Sequence, residues 1–83
     1  MDIFRKRLKE LRLDKKLSQK QLSEIIGTNN SSVCDWECGR TEPSLEMIIK
    51  LSFLLGVSSD YLLGIENYDG TKNDFTNLLN NIK

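Results

Sequence analysis

The segment at residues 17–40 constrains the fold most, because it predicts two short helices joined by a glycine turn. Its first half, LSQKQLSEII, begins with a capping box in which Ser18 caps the helix and Gln21 reaches back to it. Gly27 is expected to end this helix, since glycine readily adopts the left-handed conformation found at helix C-termini. Three apolar residues of the helix are expected to face the core: Leu22, Ile25 and Ile26.

The helix predicted after this turn spends few residues on a core. It is expected to start after Asn29, a residue type that favours the N-cap, and to end at Gly39. Four small polar side chains occupy residues 29–32, and only Val33 and Trp36 are apolar in the usual packing sense. A polar helix start, held by an apolar helix before it, suits the reading of donors and acceptors such as those on DNA base pairs.

Two further short patterns predict helices at either side of this pair. Helix 1 is expected at about residues 3–15, with Asp2 as its N-cap and apolar residues at helical spacing. Helix 5 is expected at residues 59–63, between a Ser58 cap and Gly64. No segment shows the alternation of a strand, so the predicted fold class is all-α.

The fourth predicted helix begins after a Ser44 cap and ends at Gly56. Its apolar residues are spread over most of the helix circumference: Leu45, Ile48, Ile49, Leu51, Leu54 and Leu55. This breadth predicts that helix 4 is the buried centre of the domain.

Residues 64–83 are expected to form a linker and a tail. The dipeptide Asp69-Gly70 predicts a turn within it. Four apolar residues of the segment 73–82 recur at the spacing of a short amphipathic helix: Phe75, Leu78, Leu79 and Ile82. A helix this short does not hold alone in water. Docking of the tail on another surface and fraying therefore both stay open.

The counts of cysteine and histidine exclude several kinds of site. Two cysteines and no histidine are too few for a four-ligand zinc site and give no Cys–His or Ser–His nucleophile pair. We therefore expect no catalytic residue, no metal and no cofactor. Cys34 and Cys38 stand four apart, which on a helix separates their Cβ atoms by about 5–6 Å, whereas a disulfide needs ~3.8 Å. We favour free thiols in a reducing cytoplasm over a redox-sensing pair.

The length and the apolar pattern predict a small soluble protein. The 83 residues suit one domain, without a second domain for ligand binding or proteolysis. No apolar run is long enough to span a membrane, and the charged start MDIFRKRLKE lacks the core of a signal peptide. We expect a cytoplasmic protein without a membrane partner, which receives any signal through a partner, its expression level or its degradation.

The net charge of zero hides an asymmetry along the chain. Residues 1–20 carry eight basic and three acidic side chains, a balance of +5, whereas residues 21–83 carry four basic and nine acidic ones, a balance of −5. A phosphate-binding face needs local positive charge and not a basic whole molecule. A solvated charged face on helix 1 explains the same pattern equally well.

Four motifs follow one another along residues 8–64. They are LKELR at 8–12, LSQKQLSEIIG at 17–27, the V-x-x-W-E-x-G frame at 33–39, and EPSLEMIIKLSFLLGVSSDYLLG at 42–64. Residues 8–63 thereby resemble the Cro/repressor-type (Xre-like) helix-turn-helix domain of phage repressors and many bacterial regulators, with the helix-turn-helix at about residues 18–38. The resemblance implies a five-helix, lambda-repressor-like domain that binds double-stranded operator DNA as a homodimer. Helix 3 would then lie in the major groove.

One face of helix 3 supplies the expected base contacts, which are Asn30, Ser31, Cys34 and Asp35, and Cys38 lies on the same face. Asn30 and Ser31 stand at the end that contacts base edges in this motif; Asn pairs with adenine and Ser serves several bases. Asp35 departs from the neutral amide or basic residue frequent in the family. We expect the Asp35 carboxylate either to accept a hydrogen bond from a cytosine amine or to disfavour other bases. Alternatively, it indicates weaker binding to DNA. Cys34 contacts a thymine methyl or is an inert surface residue.

The resemblance also implies phosphate contacts around the start of helix 2 and the flanking loops. Gln19 is similar to a phosphate-contacting glutamine of the family, and the N-terminus of helix 2 adds free N–H groups and a favourable dipole. Lys20 either joins it or is merely solvated, and simple helix capping is favoured for Asn29. The expected phosphate contacts are Gln19, Lys20, Asn29, Arg40 and Ser44.

Arg12 and Glu37 match a pair that forms a semi-buried ion pair between helices 1 and 3 in relatives. If it forms here, removal of one partner would leave a poorly compensated charge. Trp36 is interpreted as core packing and not as a stacking platform for bases.

Two functions of different classes fit these patterns. The first is a sequence-specific transcriptional regulator, expected to be a repressor of phage or mobile-element type that covers a palindromic operator as a dimer. The second is an antitoxin-like module that neutralises a protein partner through the tail at residues 73–82 and represses its own promoter. Apolar residues near helix 5 and in the tail are candidates for the dimer surface: Tyr61, Leu62, Ile65, Phe75, Leu78, Leu79 and Ile82.

Overall fold

The computed structural model describes residues 2–73 and contains five helices in this part of the chain. They are α1 (Asp2–Asp14), α2 (Gln19–Ile26), α3 (Asn30–Cys38), α4 (Leu45–Leu55) and α5 (Ser59–Leu63). Between residues 2 and 73 the only extended pairing is an isolated antiparallel bridge of Glu66 with Lys72. The all-α prediction with five helices is confirmed. The predicted tail helix, with Phe75, Leu78, Leu79 and Ile82, lies outside the described residues.

Short local signals set the helix ends. The Ser18 hydroxyl accepts a hydrogen bond from the Gln21 backbone at 3.0 Å, and the Gln21 side chain accepts one from the Ser18 backbone at 2.8 Å. This confirms the predicted capping box. Gly27 follows α2 with a φ of 77°, in the left-handed region. The prediction for Asp2 was wrong, because Asp2 lies in the first turn of α1, where it pairs with Arg5.

The core forms where α1, α2, α3, α4 and α5 meet. Five apolar side chains are completely buried or nearly so: Leu8, Leu22, Val33, Leu51 and Leu62. α2 and α3 pack most extensively on one another, and α1 packs on both α3 and α5. Trp36 is 6% exposed and belongs to this core, which confirms its interpretation as a packing residue.

The predicted burial of α4 was wrong in one respect. Ile48, Leu51 and Leu55 form a buried stripe, but the opposite face is open, with Leu45 and Phe53 each 83% exposed. Five helices of this size can cover only one side of α4, so an apolar circumference does not guarantee a buried one. Ile49 of α4 and Ile25 of the neighbouring α2 are both 55% exposed. The inward orientation predicted for Ile25 was therefore also wrong.

The segment after α4 packs back on α1 through an arginine. Arg7 donates hydrogen bonds to the backbone oxygens of Tyr61 and Glu66, and its guanidinium carbon lies 4.0 Å from the centre of the Tyr61 ring. Tyr61 is only 8% exposed and Leu62 is fully buried. These two residues, predicted for a dimer surface, are therefore part of the domain interior. Ile65 stays at the surface.

Candidate nucleic-acid interface

α3 presents one side to the protein and the other to solvent. Val33 and Trp36 anchor the inner side in the core. The predicted reading residues lie on the outer side, where Asn30 and Ser31 are exposed and Cys34 and Asp35 are half-buried. The turn from α2 is closed by hydrogen bonds from the Gly27 and Thr28 backbones to the Ser23 oxygen, at 3.0 and 2.9 Å. The spacing of the helix-turn-helix therefore places the polar edge of α3 outward.

The first turn of α3 lacks the side-chain cap that was predicted. Asn29 occupies the N-cap position with extended backbone, but its side chain makes no capping hydrogen bond. The first N–H groups of a helix have no partner within the helix. The first N–H groups of α3 thus have no side-chain cap, and the side chains of Asn30 and Ser31 beside them are exposed.

A buried ion pair fixes the inner side of α3 to α1. Arg12 Nε lies 2.7 Å from Glu37 Oε2 and Arg12 Nη2 lies 3.0 Å from Glu37 Oε1, so the pair is bidentate. The two side chains are 8% and 4% exposed. Arg12 Nη1 also donates to the Leu17 backbone oxygen at 2.7 Å. Charged groups this deep in a protein are stable only when they are paired and hydrogen-bonded in this way.

Gln19 joins this network. Its side-chain amide donates to Glu37 Oε1 at 3.2 Å, so the predicted phosphate-contacting side chain is held beside the start of α2. The contact of Gln19 with Glu37 was not predicted from the sequence. The Ser18 cap does indicate that Gln19 is the first residue of α2, but it does not indicate which residue of α3 lies opposite. The hydrogen bonds of Glu37 with Arg12 and Gln19 therefore join α1, α2 and α3, and they hold in place a side chain that is expected to contact a phosphate.

The outer side of α3 carries a second, exposed ion pair. Arg40 Nη1 lies 3.4 Å from Asp35 Oδ1, and the two side chains are 73% and 31% exposed. The carboxylate that departs from the family pattern therefore has a cation beside it, supplied by the loop after α3. Of the remaining predicted phosphate contacts, Lys20 is exposed, and the Ser44 hydroxyl accepts a hydrogen bond from the Met47 backbone at 3.2 Å.

The arginines of α1 are used within the protein, whereas the lysines are not buried. Arg5 donates to the Cys38 backbone oxygen at 3.3 Å and lies against Gly39 at the end of α3, where an added Cβ would be 3.4 Å from its Nη1. Arg7 and Arg12 are likewise occupied by the contacts described above. The exposed basic residues of this region are Lys6, Lys9, Lys15, Lys16 and Lys20. The contact of Arg5 with Cys38 links residues 33 positions apart, and no local sequence signal marks it.

The two cysteines lie together on the outer side of α3. Both are free thiols, and their Sγ atoms are 3.9 Å apart. The hydrogen bond with the Cys38 thiol, reinforced by the charge of Cys38 when ionised, raises the pKa of Cys34. Burial and the Asp35 carboxylate shift the pKa of Cys34 in the same direction.

The described residues contain neither a membrane-spanning helix nor a cluster of metal-ligating side chains. No helix between residues 2 and 73 is long and apolar enough to cross a membrane. In the same part of the chain, no group of three or more His, Cys, Asp or Glu side chains could hold a metal ion.

Comparison with known proteins gives matches over most of the chain. A family model described as helix-turn-helix matches residues 8–62. The SPbeta prophage-derived uncharacterized HTH-type transcriptional regulator YonR of Bacillus subtilis (strain 168) is 39% identical over 61 residues, which are 74% of this chain and 56% of YonR. The HTH-type transcriptional regulator ImmR of the same organism is 37% identical over 75 residues, 90% of this chain and 58% of ImmR. The chain thus spans somewhat more than half the length of these two relatives.

A solved structure shares the arrangement of the helices. The P22 c2 repressor protein, crystallised in complex with the synthetic operator 9T, superposes with a TM-score of 0.70 and 32% identity. The match covers 75% of this chain and 94% of the repressor chain.

Proposed function

The chain belongs to the Cro/repressor-type (Xre-like) helix-turn-helix family, and on that premise we propose that it is a DNA-binding transcriptional regulator that represses by occupying an operator. The single observation that carries the proposal is the outer side of α3. This helix is locked to the core through Trp36 and the Arg12–Glu37 pair, yet its first turn is polar, exposed and lacks a side-chain cap. A rigid helix with an open polar start fits the major groove of DNA.

Base recognition is assigned to four residues of α3. Asn30 donates to and accepts from the N6 and N7 edge of an adenine, and Ser31 bonds with a neighbouring base. Asp35 accepts from a cytosine N4 amine, for which it exchanges its contact with Arg40. Cys34 packs against a thymine methyl group. These neutral and acidic side chains give specificity, and they leave most of the electrostatic affinity to other residues.

Affinity is assigned to the surroundings of α3. The N-terminus of α2 directs its N–H groups and its dipole at a phosphate, and Gln19 adds an amide that Glu37 holds in place. Lys20 and Arg40 are exposed and supply positive charge on either side. Asn29 and Ser44, at the starts of α3 and α4, complete the phosphate contacts.

The regulator acts as a dimer on a palindromic site. Two copies of α3 would then enter successive major grooves about 34 Å apart, one turn of the double helix. Ile65 is the described residue left from the apolar set first considered for the dimer surface, because Tyr61 and Leu62 are buried. The operator-bound dimer excludes polymerase from the promoter by occupying the same DNA.

Selection of bound DNA from a random library tests the proposal, because it returns half-site, spacing and symmetry together. We expect two inverted half-sites about one turn apart, and a steep decrease in affinity as the salt concentration rises. The double variant Asn30→Ala/Ser31→Ala is the control: it should keep its helical circular dichroism and lose the enrichment. If the wild-type protein enriches no sequence, the proposed function is wrong.

A second candidate function is binding to a protein partner, as in antitoxins. The observation that favours it is the open apolar side of α4 and α2, where Ile25, Ile49 and Phe53 are exposed, since such patches mark interaction sites. Of the tail at residues 73–82, which was also considered for this role, residues 74–82 lie outside the described residues. Co-expression with the product of an adjacent small gene tests it: rescue of growth from a toxic product supports this function, and no effect on toxicity contradicts it.

A further inference from the structure

Cys34 and Cys38 form a thiol pair on α3, and the proposed DNA contacts use only the first of them. Cys34 is half-buried, Cys38 is exposed, and their Sγ atoms are 3.9 Å apart on the outer side of the helix. The spacing of four residues places both thiols on adjacent turns of one helical face. Two free thiols in such proximity can bind a single atom together.

The geometry suits an atom that bridges the two sulfurs better than a direct bond between them. A disulfide needs Cβ atoms ~3.8 Å apart, whereas residues four apart on a helix hold them at about 5–6 Å, so oxidation would distort α3. Two bonds of ~2.3 Å from one bridging atom place two sulfurs about 3.4–3.8 Å apart, the shorter distance for a pyramidal trivalent atom and the longer for a tetrahedral one. The observed separation of 3.9 Å is slightly longer than both, and rotation of the two Cys side chains can close the difference.

The number of ligands decides which atom fits. A tetrahedral metal ion such as zinc takes four ligands, and no group of three ligating side chains exists among residues 2–73. Trivalent arsenic that carries one organic substituent forms three bonds, one to carbon and two to sulfur. We propose that Cys34 and Cys38 form a chelating site for monosubstituted trivalent arsenicals on the outer side of α3.

The reaction is a condensation without a change of oxidation state. Two As–S bonds form and two As–OH bonds break, and each hydroxyl leaves as water with a thiol proton. Arsenic stays trivalent, so no oxidant is needed.

The bound arsenical would block the reading side of α3. Its organic substituent projects from between Cys34 and Cys38, beside Asp35 and Arg40, into the space assigned to the base edges. A group of that size excludes the DNA, so occupancy of the site releases the operator. This step rests on the proposed function, whereas the chelation itself does not.

Chelation is tested with phenylarsine oxide, which hydrates in water to the dihydroxy form. The wild-type protein should gain one phenylarsenic per chain by intact mass, with loss of two waters. It should keep the adduct in excess glutathione and release it to a dithiol such as 2,3-dimercaptopropanol. Cys38→Ser, which keeps one thiol, should lose the adduct to glutathione. Equal retention by wild type and Cys38→Ser, or an adduct that joins two chains, overturns the proposal.

Release of DNA is tested separately, by the Kd for the selected operator with and without phenylarsine oxide. Each protein is its own reference, so a direct effect of the substitution on affinity cancels. We expect the Kd of the wild type to rise at least roughly tenfold, as on loss of a base contact, and that of Cys38→Ser to stay constant. An adduct on the wild type with no change in Kd overturns the coupling to DNA. An intact adduct on a protein that selects no DNA contradicts the proposed function and leaves the chelation in place.

Discussion

The ion pair on the inner side of α3 and the ion pair on its outer side place the same kinds of charge in opposite surroundings. Arg12 and Glu37 form two hydrogen bonds and are 8% and 4% exposed. Arg40 and Asp35 form one contact of 3.4 Å and are 73% and 31% exposed. One helix therefore holds a carboxylate that is shielded from water and a second that is partly open to it.

The difference in exposure gives the two ion pairs different roles: the inner pair stabilises the fold, and the outer pair is available for recognition. A buried charge that loses its partner is stranded in a medium that solvates it poorly, so the inner pair must stay intact in every state of the folded protein. An exposed pair is screened by water and gains little from staying closed. The outer pair can thus exchange its internal contact for a base or a phosphate at low cost.

Glu37→Ala should give the largest effect. It leaves the Arg12 guanidinium buried without its carboxylate, and we expect the free energy of unfolding to fall by about 3–5 kcal/mol. Urea denaturation followed by circular dichroism measures it. Asp35→Ala removes the same charge from the outer side and is the matched control. If the two variants unfold at the same urea concentration, the contrast between the two ion pairs is wrong.

Asn30→Ala should affect DNA binding and spare the fold. We expect affinity for the selected operator to fall about 5- to 150-fold, because a bidentate contact with adenine discriminates by about 1–3 kcal/mol. Fluorescence anisotropy with labelled DNA measures the loss, and preference for adenine at the contacted position should relax. Ser59→Ala, an exposed change on α5, is the control. Equal affinities of the two variants would remove Asn30 from the interface.

Asp35→Asn should sharpen the role of the outer pair. It frees Arg40 from its ion pair for a phosphate, so affinity for non-specific DNA should rise by about fivefold. An exposed ion pair is worth no more than ~1 kcal/mol, which bounds this gain. The double variant Asp35→Asn/Arg40→Ala should lose it again. A gain that persists in the double variant would show that Arg40 is not the group released.

Phe53→Ser extends the comparison to α4 and should have the smallest effect. Phe53 is 83% exposed, and surface substitutions outside special features change stability by about 0.5 kcal/mol or less. Leu51→Ala, on the buried stripe of the same helix, should cost about 2–5 kcal/mol. Denaturation of both variants measures the difference. A large loss of stability in Phe53→Ser would indicate that this side chain is covered in solution.

The elements with local signals were predicted well. Ser18 and Gly27 bound α2, and Ser58 and Gly64 bound α5, as the residue types indicate, because a cap involves only a few neighbouring residues. The outward side of α3 also followed from its polar start. The ion pair of Arg12 with Glu37 was expected only from the family resemblance, since the two residues are 25 positions apart.

Within residues 2–73, the sequence alone determined the number and order of the helices, the ends of α2 to α5, and which residue types α3 presents, because these depend on interactions within one or two turns. The tertiary structure decided what each face meets. In the folded domain Ile25 and Phe53 are exposed and Tyr61 is buried, and the Gln19 side chain donates a hydrogen bond to Glu37. Apolar periodicity indicates which residues share a face of a helix, but only the packing of distant segments determines whether that face is covered.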